Sequence, residues 1–371
     1  MDSRVSDLIQ KIKAAAPIAR SFVGVDIGTS SIKIVQLIMK DNTVMLETYG
    51  EISSTAYGGA GPEKAAAPVL GLLSVELSDL LHEVNAQSRI CGVGIPLSET
   101  FINVLDLPQR DPEQMRRIVP TEVQKFIPIS VDKVMLDWYP VSEEKASVFD
   151  AVLPHKQEEA HFQKVIVVAV NTERAQRLGD VVAGSGLTPA FYEIEMFSAA
   201  RACTHTVEVP ALILDLGASS TKAYIINEHR IVYDARPIPV GGNDITKKIM
   251  EALSCDVPTA ERTKCEQGVS AGSPASTIIA PALEPIWTYT KQMFADHQTR
   301  GGKPIERVFL LGGGSYMPGL APLIWDKLAL PVEVIRAFEH TKGPMIMENT
   351  LHEDGPRYAT AIGLALRGVG K

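Results

Sequence analysis

Two copies of one short pattern constrain this chain more than anything else in it. Asp26-Ile27-Gly28-Thr29-Ser30-Ser31-Ile32-Lys33 and Asp215-Leu216-Gly217-Ala218-Ser219-Ser220-Thr221-Lys222 share Asp, Gly, two Ser and Lys at the same offsets. Each copy leaves an apolar run (Val23–Val25, Ile213–Leu214), turns, and re-enters another (Ile34–Leu37, Ala223–Ile225). That alternation reads as a β-hairpin whose turn carries hydroxyls. Glycine lets the backbone approach a ligand closely, and free N–H groups beside hydroxyls form a nest for phosphate oxygens. One copy alone reads first as an ordinary hairpin with Ser and Thr in it. A repeat at such spacing means a duplicated unit, and two such nests facing each other suit one polyphosphate held between halves. In that arrangement Asp26 and Asp215 converge on a Mg²⁺ through its waters, since this ion dehydrates reluctantly.

The 371 residues have room for two or more domains, and a formal charge of -8 argues against a nucleic-acid surface. Cys91, Cys203, Cys255 and Cys265 form no CxxC pair and read as reduced, buried hydrophobes. No apolar run approaches the ~18 residues of a membrane span, and no secretory apolar region opens the chain, so the expectation is a cytoplasmic protein. Residues 2–20 read as a basic amphipathic helix, which either lies on a membrane or a partner or is a self-packed tail.

In order, strands are expected at Phe22–Val25, Ile32–Leu37 and Val44–Tyr49, then a Gly58–Pro62 surface loop, a helix at Val69–Val84 and a strand at Val93–Pro96. Residues 99–187 change character; with the strand at Pro189–Ile194 they read β-α-β-β-α-β, a small insert before a helix near Glu195–Cys203. Beyond the second turn the pattern predicts a strand at Ile231–Pro237, a Gly241-Gly242 turn feeding a helix, and one long helix from about Ile278 to His297. A strand at Val308–Leu311 meets Gly312-Gly313-Gly314-Ser315. Those glycines offer N–H groups to a phosphate, a flat seat for an adenosine, or only a strand–helix turn. Glu261 and Lys264 lie three apart on a helix and either hold ribose hydroxyls or pair on the surface; spacing alone favours the surface pair. No HExxH, no GxxxxGK[ST] and no dinucleotide fingerprint is present. Asp26 or Asp215 is placed to orient an attacking water, since phosphoryl transfer needs little beyond positioning and charge.

The two DxGxSSxK turns and the late LGGGSxMPGL segment resemble the phosphate and adenosine motifs of the actin-like ATPase superfamily. Within it, Glu122-Val123-Gln124-Lys125-Phe126-Ile127-Pro128, Val134-Met135-Leu136-Asp137-Trp138-Tyr139, Gly186-Leu187-Thr188-Pro189, Gly241-Gly242-Asn243-Asp244 and Ala361–Gly368 resemble the FtsA-like PilM family of type IV pilus assembly. The resemblance runs from Phe22 to Gly368. The Gly58–Pro62 loop departs from the family pattern, and the helix at 2–20 lies outside the match.

The resemblance implies a duplicated ribonuclease H-like (actin-like ATPase) α/β fold with an FtsA-type small α/β subdomain inserted in the first half. The expected boundaries are an N-terminal helix at 1–21, the first half at 22–98 plus 188–206, the insert at 99–187 and the second half at 207–371. It implies ATP and Mg²⁺, with Gly28, Thr29, Ser30, Ser31 and Lys33 on one side of the phosphates and Gly217, Ala218, Ser219, Ser220 and Thr221 on the other. Gly241, Gly242, Glu261, Lys264, Gly312, Gly313, Gly314 and Ser315 are expected on the nucleoside side. Asp26 and Asp215 are the expected metal residues, and Asp215 and Glu195 the expected catalytic ones. The implied partner is the cytoplasmic N-terminal tail of a PilN-like inner-membrane protein, in a groove beside the insert, with other platform proteins and motor ATPases around it. Peripheral attachment to the inner membrane, self-association and weak ATPase activity complete the expectation. The alternatives are an FtsA-like filament-forming division protein and a small-molecule kinase of the same fold.

Overall fold

The computed structural model describes residues 19–54, 67–127, 130–140, 162–203, 209–228 and 231–371. Nearly all of the helix expected at 2–20, and the Gly58–Pro62 loop, lie outside them. The first elements are β1 (Ser21–Ile27), β2 (Ser31–Lys40) and β3 (Thr43–Ser53), an antiparallel meander. Asp41 and Asn42 turn β2 into β3 with both φ angles positive, the mirror-type turn that matches strand twist. The helix α1 (Ala67–Glu83) then carries the chain back to β4 (Ile90–Ile95), which pairs parallel with β1.

The chain next forms β5 (Thr100–Pro108), α2 (Pro112–Val123), β6 (Val134–Pro140) and β7 (Phe162–Asn171), followed by α3 (Thr172–Gly184), β8 (Thr188–Ile194) and α4 (Glu195–Cys203). Asp111 caps α2, its carboxylate accepting the Glu113 and Gln114 N–H groups at 2.9 Å each, and Pro112 fills the first turn where no N–H is needed. β5, β7 and β6 make a three-stranded antiparallel sheet within a compact unit spanning Ser98–Ala175. Leu105, Leu107, Met115, Val119, Val123, Val165 and Val167 form its core. The last strand of the β-α-β-β-α-β order pairs elsewhere: β8 lies parallel to β4 and completes the first five-stranded sheet, β3-β2-β1-β4-β8. The β8 residues from Phe191 to Ile194 are buried on both faces, as a parallel strand covered on both sides requires.

The other unit, residues 1–97 and 176–371, also holds a second five-stranded sheet, β11-β10-β9-β12-β13. Its strands are β9 (Ala211–Leu216), β10 (Thr221–Ile226), β11 (Val232–Ile238), β12 (Arg307–Leu311) and β13 (Val332–Val334). Between and after them run α5 (Gly242–Leu253), α6 (Val257–Glu266), α7 (Ser276–Ala282), α8 (Glu284–Thr299), α9 (Leu320–Leu328), α10 (Glu348–Asp354) and α11 (Ala359–Gly368). An antiparallel triple followed by two parallel strands thus occurs twice. The single helix expected from Ile278 to His297 is two, α7 and α8, because Pro281 and Pro285 flank Leu283 and cannot supply helical N–H groups.

The terminal helix α11 packs on β1 so closely that a Cβ on Gly24 would lie 1.9 Å from the Ala361 carbonyl oxygen, so only glycine fits there. Glu193 of β8, buried, accepts from Arg201 at 2.7 and 2.9 Å, Ser198 at 2.6 Å and Arg367 at 2.8 Å, tying α4 and α11 to the first sheet. Burial works against the Glu193 charge, but the two guanidinium groups outweigh it and hold its carboxyl below the usual range. Cys91 and Cys203 are buried as expected; Cys255 is half-buried and Cys265 exposed. Among the described residues no helix is long and apolar enough to cross a membrane.

Candidate functional site

The repeated signature makes the same hairpin twice. In the first, Asp26 stands across from Lys33 and Ile27 from Ile32; in the second, Asp215 stands across from Lys222 and Leu216 from Thr221. Each turn is closed by its glycine: the Gly28 N–H donates to the Ser31 carbonyl at 3.0 Å, and the Gly217 N–H to the Ser220 carbonyl at 3.1 Å. The Ser30 carbonyl accepts the Ser54 N–H at 2.9 Å, which fixes the first turn to the end of β3. The two turns meet: the Ser219 hydroxyl donates to Thr29 Oγ1 at 2.8 Å.

The lysines diverge. Lys33 faces Glu51 across β3; its ammonium lies 3.2 Å from that carboxylate and donates to Ser31 Oγ at 2.6 Å. Burial disfavours the Glu51 charge, yet Lys33, Ser31 and Arg357 hold its carboxyl below the ordinary value. Arg357 sits 3.6 Å from Glu51 and 3.8 Å from Asp354, which accepts the Tyr49 hydroxyl at 3.2 Å. Lys222 faces Pro237 across β11, which offers no acid, and reaches inward: its Nζ donates to Glu195 Oε2 at 2.8 Å and lies 3.4 Å from Asp215 Oδ2. Glu195, first residue of α4, uses its other oxygen to accept the Leu97 N–H at 2.6 Å.

These groups form a buried charge cluster. Burial pushes the Asp26 carboxyl up, and Lys33 and Lys222 only partly offset it. Burial likewise raises Glu195 against the pull of Lys222. For Lys222 burial acts against the charge, but Asp215 and Glu195 outweigh it, so the ammonium is held more firmly protonated than usual. The Tyr224 hydroxyl, two residues along β10, is fully buried with no hydrogen-bond partner among the described residues. It is raised well above its ordinary value by burial and then by Glu195, Asp215 and Asp26.

The glycine turn after β12 touches the second hairpin. Gly312 has φ +84°, and a Cβ there would lie 2.5 Å from Asp215 Oδ1. Its N–H donates to the Pro356 carbonyl at 2.9 Å, the Gly314 N–H to the Leu216 carbonyl at 3.0 Å and the Ser315 N–H to the Gly312 carbonyl at 3.2 Å. Three of the four N–H groups are thus committed internally, while nothing stands within 4 Å of where a Gly313 Cβ would be. The turn offers an open flat face more than an anion nest.

Gly241 packs against the second turn, where a Cβ would meet the Ala218 carbonyl oxygen at 2.4 Å. The Gly242 and Asn243 N–H groups donate to the Gly217 and Ala218 carbonyls at 2.9 and 2.8 Å, so the start of α5 braces that turn. Glu261 and Lys264 do pair, as their spacing suggests, but Lys264 is drawn in by further partners. Lys264 Nζ lies 2.7 Å from Glu261 Oε1, 2.7 Å from Thr246 Oγ1 and 3.2 Å from the Gly242 carbonyl. Thr246 also donates to Glu261. Sequence reasoning passed over Thr246, Glu51, Arg357, Tyr224 and the role of Lys222; for Lys222 the signal was there, in the repeat itself.

A family model described as type IV pilus assembly protein PilM matches residues 24–369. A chain solved as "PilM-PilN type IV pilus biogenesis complex" is similar with TM-score 0.80 at 24% identity, over 96% of this chain and 100% of that one. The ethanolamine utilization protein EutJ from Carboxydothermus hydrogenoformans is similar with TM-score 0.56 at 15% identity, over 99% of this chain and 100% of that one. A diol dehydratase-reactivating factor in nucleotide-free form reaches TM-score 0.53 at 12% identity, over 95% of this chain and 100% of that one. The duplicated sheets and these likenesses agree on an actin-like α/β fold with a small α/β segment inserted in its first half. With a family match over nearly its whole length, the chain belongs to the type IV pilus assembly protein PilM family.

Proposed function

We propose that this chain is an ATP-binding scaffold of the type IV pilus inner-membrane platform, whose nucleotide state biases its hold on the cytoplasmic N-terminal tail of a PilN-like membrane protein. The observation that carries the nucleotide half is the contact of the two hydroxyl turns at Thr29 and Ser219, with the Gly313 face beside the second of them. Phosphates are assigned to residues 28–31 and 217–221, with Lys33 beside them, and the nucleoside to Gly312–Ser315, Glu261 and Lys264, with Gly241 and Gly242 bracing the second turn.

The residues fit a hydrated Mg²⁺ alongside. Asp26 and Asp215 lie close enough beside the paired turns to feel each other's charge, and the orphaned Tyr224 hydroxyl, which feels both, is a group that a water would satisfy. We assign Asp26 and Asp215 to the ion's waters, and Asp215 and Glu195 to the water nearest the terminal phosphate. When bound, the ion supplies charge that offsets the phosphates' own. Family membership supports the pilus role. Likeness to a chain solved in a PilM-PilN complex supports the PilN-type partner and, through it, a place at the inner membrane for a cytoplasmic protein.

Two measurements test this. Calorimetry is expected to show ATP binding that Gly313→Trp weakens by at least about tenfold without lowering the melting temperature, because the new side chain fills the open face. Capture of a PilN-type N-terminal peptide is expected to change when ATP is added. Absence of ATP binding would sink the nucleotide half, and capture indifferent to ATP the coupling.

A further inference from the structure

We infer that Lys222 is a built-in counter-ion of the phosphate end of this site, so that a nucleotide polyphosphate binds this chain with little dependence on a divalent cation. The inference rests on the nucleotide reading given above and adds to it.

Three carboxylates lie beside the paired turns, and Asp26 and Glu195 each feel the charge of Asp215. Left alone they would repel a polyphosphate, and a divalent cation would be needed to bring the two together. Lys222 changes that balance from within. Its ammonium is held at two points, 2.8 Å from Glu195 and 3.4 Å from Asp215, so its position is set by the protein before any ligand arrives. An ammonium has three rotatable donors, and Lys222 has two partners among the described residues, so one donor remains for a phosphate oxygen. The side chain is 19% exposed, enough to reach a ligand and too little for water to screen its charge fully.

The equivalent lysine of the first hairpin does not do this. Lys33 is drawn toward the outer strand by Glu51, whereas Lys222 has Pro237 opposite and turns inward. Both lysines are tethered, Lys33 by Glu51 and Ser31, but only the Lys222 tether runs to Glu195 and Asp215.

The test is to titrate ATP into the full chain in excess Mg²⁺ and in EDTA, for the wild type and for Lys222→Met, which keeps the stem and removes the charge. Because Lys222→Met strands Glu195 in the interior, the charge-balanced pair Lys222→Met with Glu195→Gln is measured too. The wild-type affinity is expected to change by less than about threefold on chelation, and that of either variant by more than about tenfold. A wild-type affinity that falls more than about tenfold in EDTA overturns the proposal, as does a wild-type ratio reproduced by both variants. If the wild type binds no ATP under either condition, the nucleotide reading itself fails. That result is distinct from the strong cation dependence that would overturn this proposal alone.

Discussion

In the first hairpin Lys33 stands across from Glu51 and lies 3.2 Å from its carboxylate; in the second, Lys222 stands across from Pro237 and reaches 2.8 Å to Glu195 on a different element. The two hairpins share their Asp–Lys register, their glycine-closed turn and their serines. Within the motif they differ at Ile27/Leu216, Thr29/Ala218 and Ile32/Thr221, and outside it in the residue that faces the lysine on the third strand of each meander. An acid there takes the lysine outward, into a chain that continues through Arg357 and Asp354 to Tyr49. A proline there leaves the lysine for the carboxylates beside the ligand turns. A duplicated motif can thus keep its backbone and diverge in chemistry through a neighbour that lies outside the motif.

If the inward wiring of the second hairpin carries structural weight, Glu195→Ala is the most damaging single change. It removes the acceptor of the Leu97 N–H and leaves Lys222 with only the longer contact to Asp215. Breaking a buried ion pair from one side costs about 3 kcal/mol. Urea denaturation should show that loss. A drop below about 1 kcal/mol would mean that Lys222 is paired as well by Asp215 alone, and the contrast between hairpins would shrink.

Much of this arrangement is legible in the sequence, because the repeat fixes both hairpins and the apolar runs around them. What escapes is register. Counting back from the Asp41-Asn42 turn would set Lys33 opposite Gly50, and no acid would be suspected. A bulge between Gln36 and Leu37 shifts the pairing by one, so that Glu51 faces Lys33 instead. The Glu195–Lys222 contact is equally hidden, since it joins residues 27 apart on elements that only the packing brings together. The single helix expected over 278–297 failed for a different reason: its apolar periodicity is continuous, but Pro281 and Pro285 interrupt the hydrogen bonds that periodicity does not report.

The outward wiring of the first hairpin is more exposed and should cost less to break. Glu51→Gln is expected to lower stability by about 1 kcal/mol at neutral pH. The effect has a defined pH sign. Because the folded Glu51 carboxyl is held below its ordinary value of 4.5, its contribution is complete above that value and is lost as the pH falls through the lowered one. Wild type and Glu51→Gln should therefore differ in urea midpoint at neutral pH and converge in acid. Asp26 behaves oppositely: burial raises its carboxyl, so its ionisation costs stability as the pH rises above 3.8. A difference that persists unchanged into acid would show that Glu51 acts by its shape and not by its charge.

The smallest change in stability is expected from the substitution that should convert one hairpin into the other. Pro237 lies exposed on the edge strand β11, directly across from Lys222, so Pro237→Glu places a carboxylate where Glu51 stands in the first hairpin. An opposed charge pair on neighbouring strands contributes about 0.5 kcal/mol, and the weakening of the Glu195 contact cancels part of it. The net shift in melting temperature should be close to zero, while Lys222 is drawn outward and ATP binding becomes more dependent on Mg²⁺. If the cation dependence stays at the wild-type level, Glu195 holds Lys222 whatever stands at position 237, and the divergence of the two hairpins originates in α4 and not in the third strand.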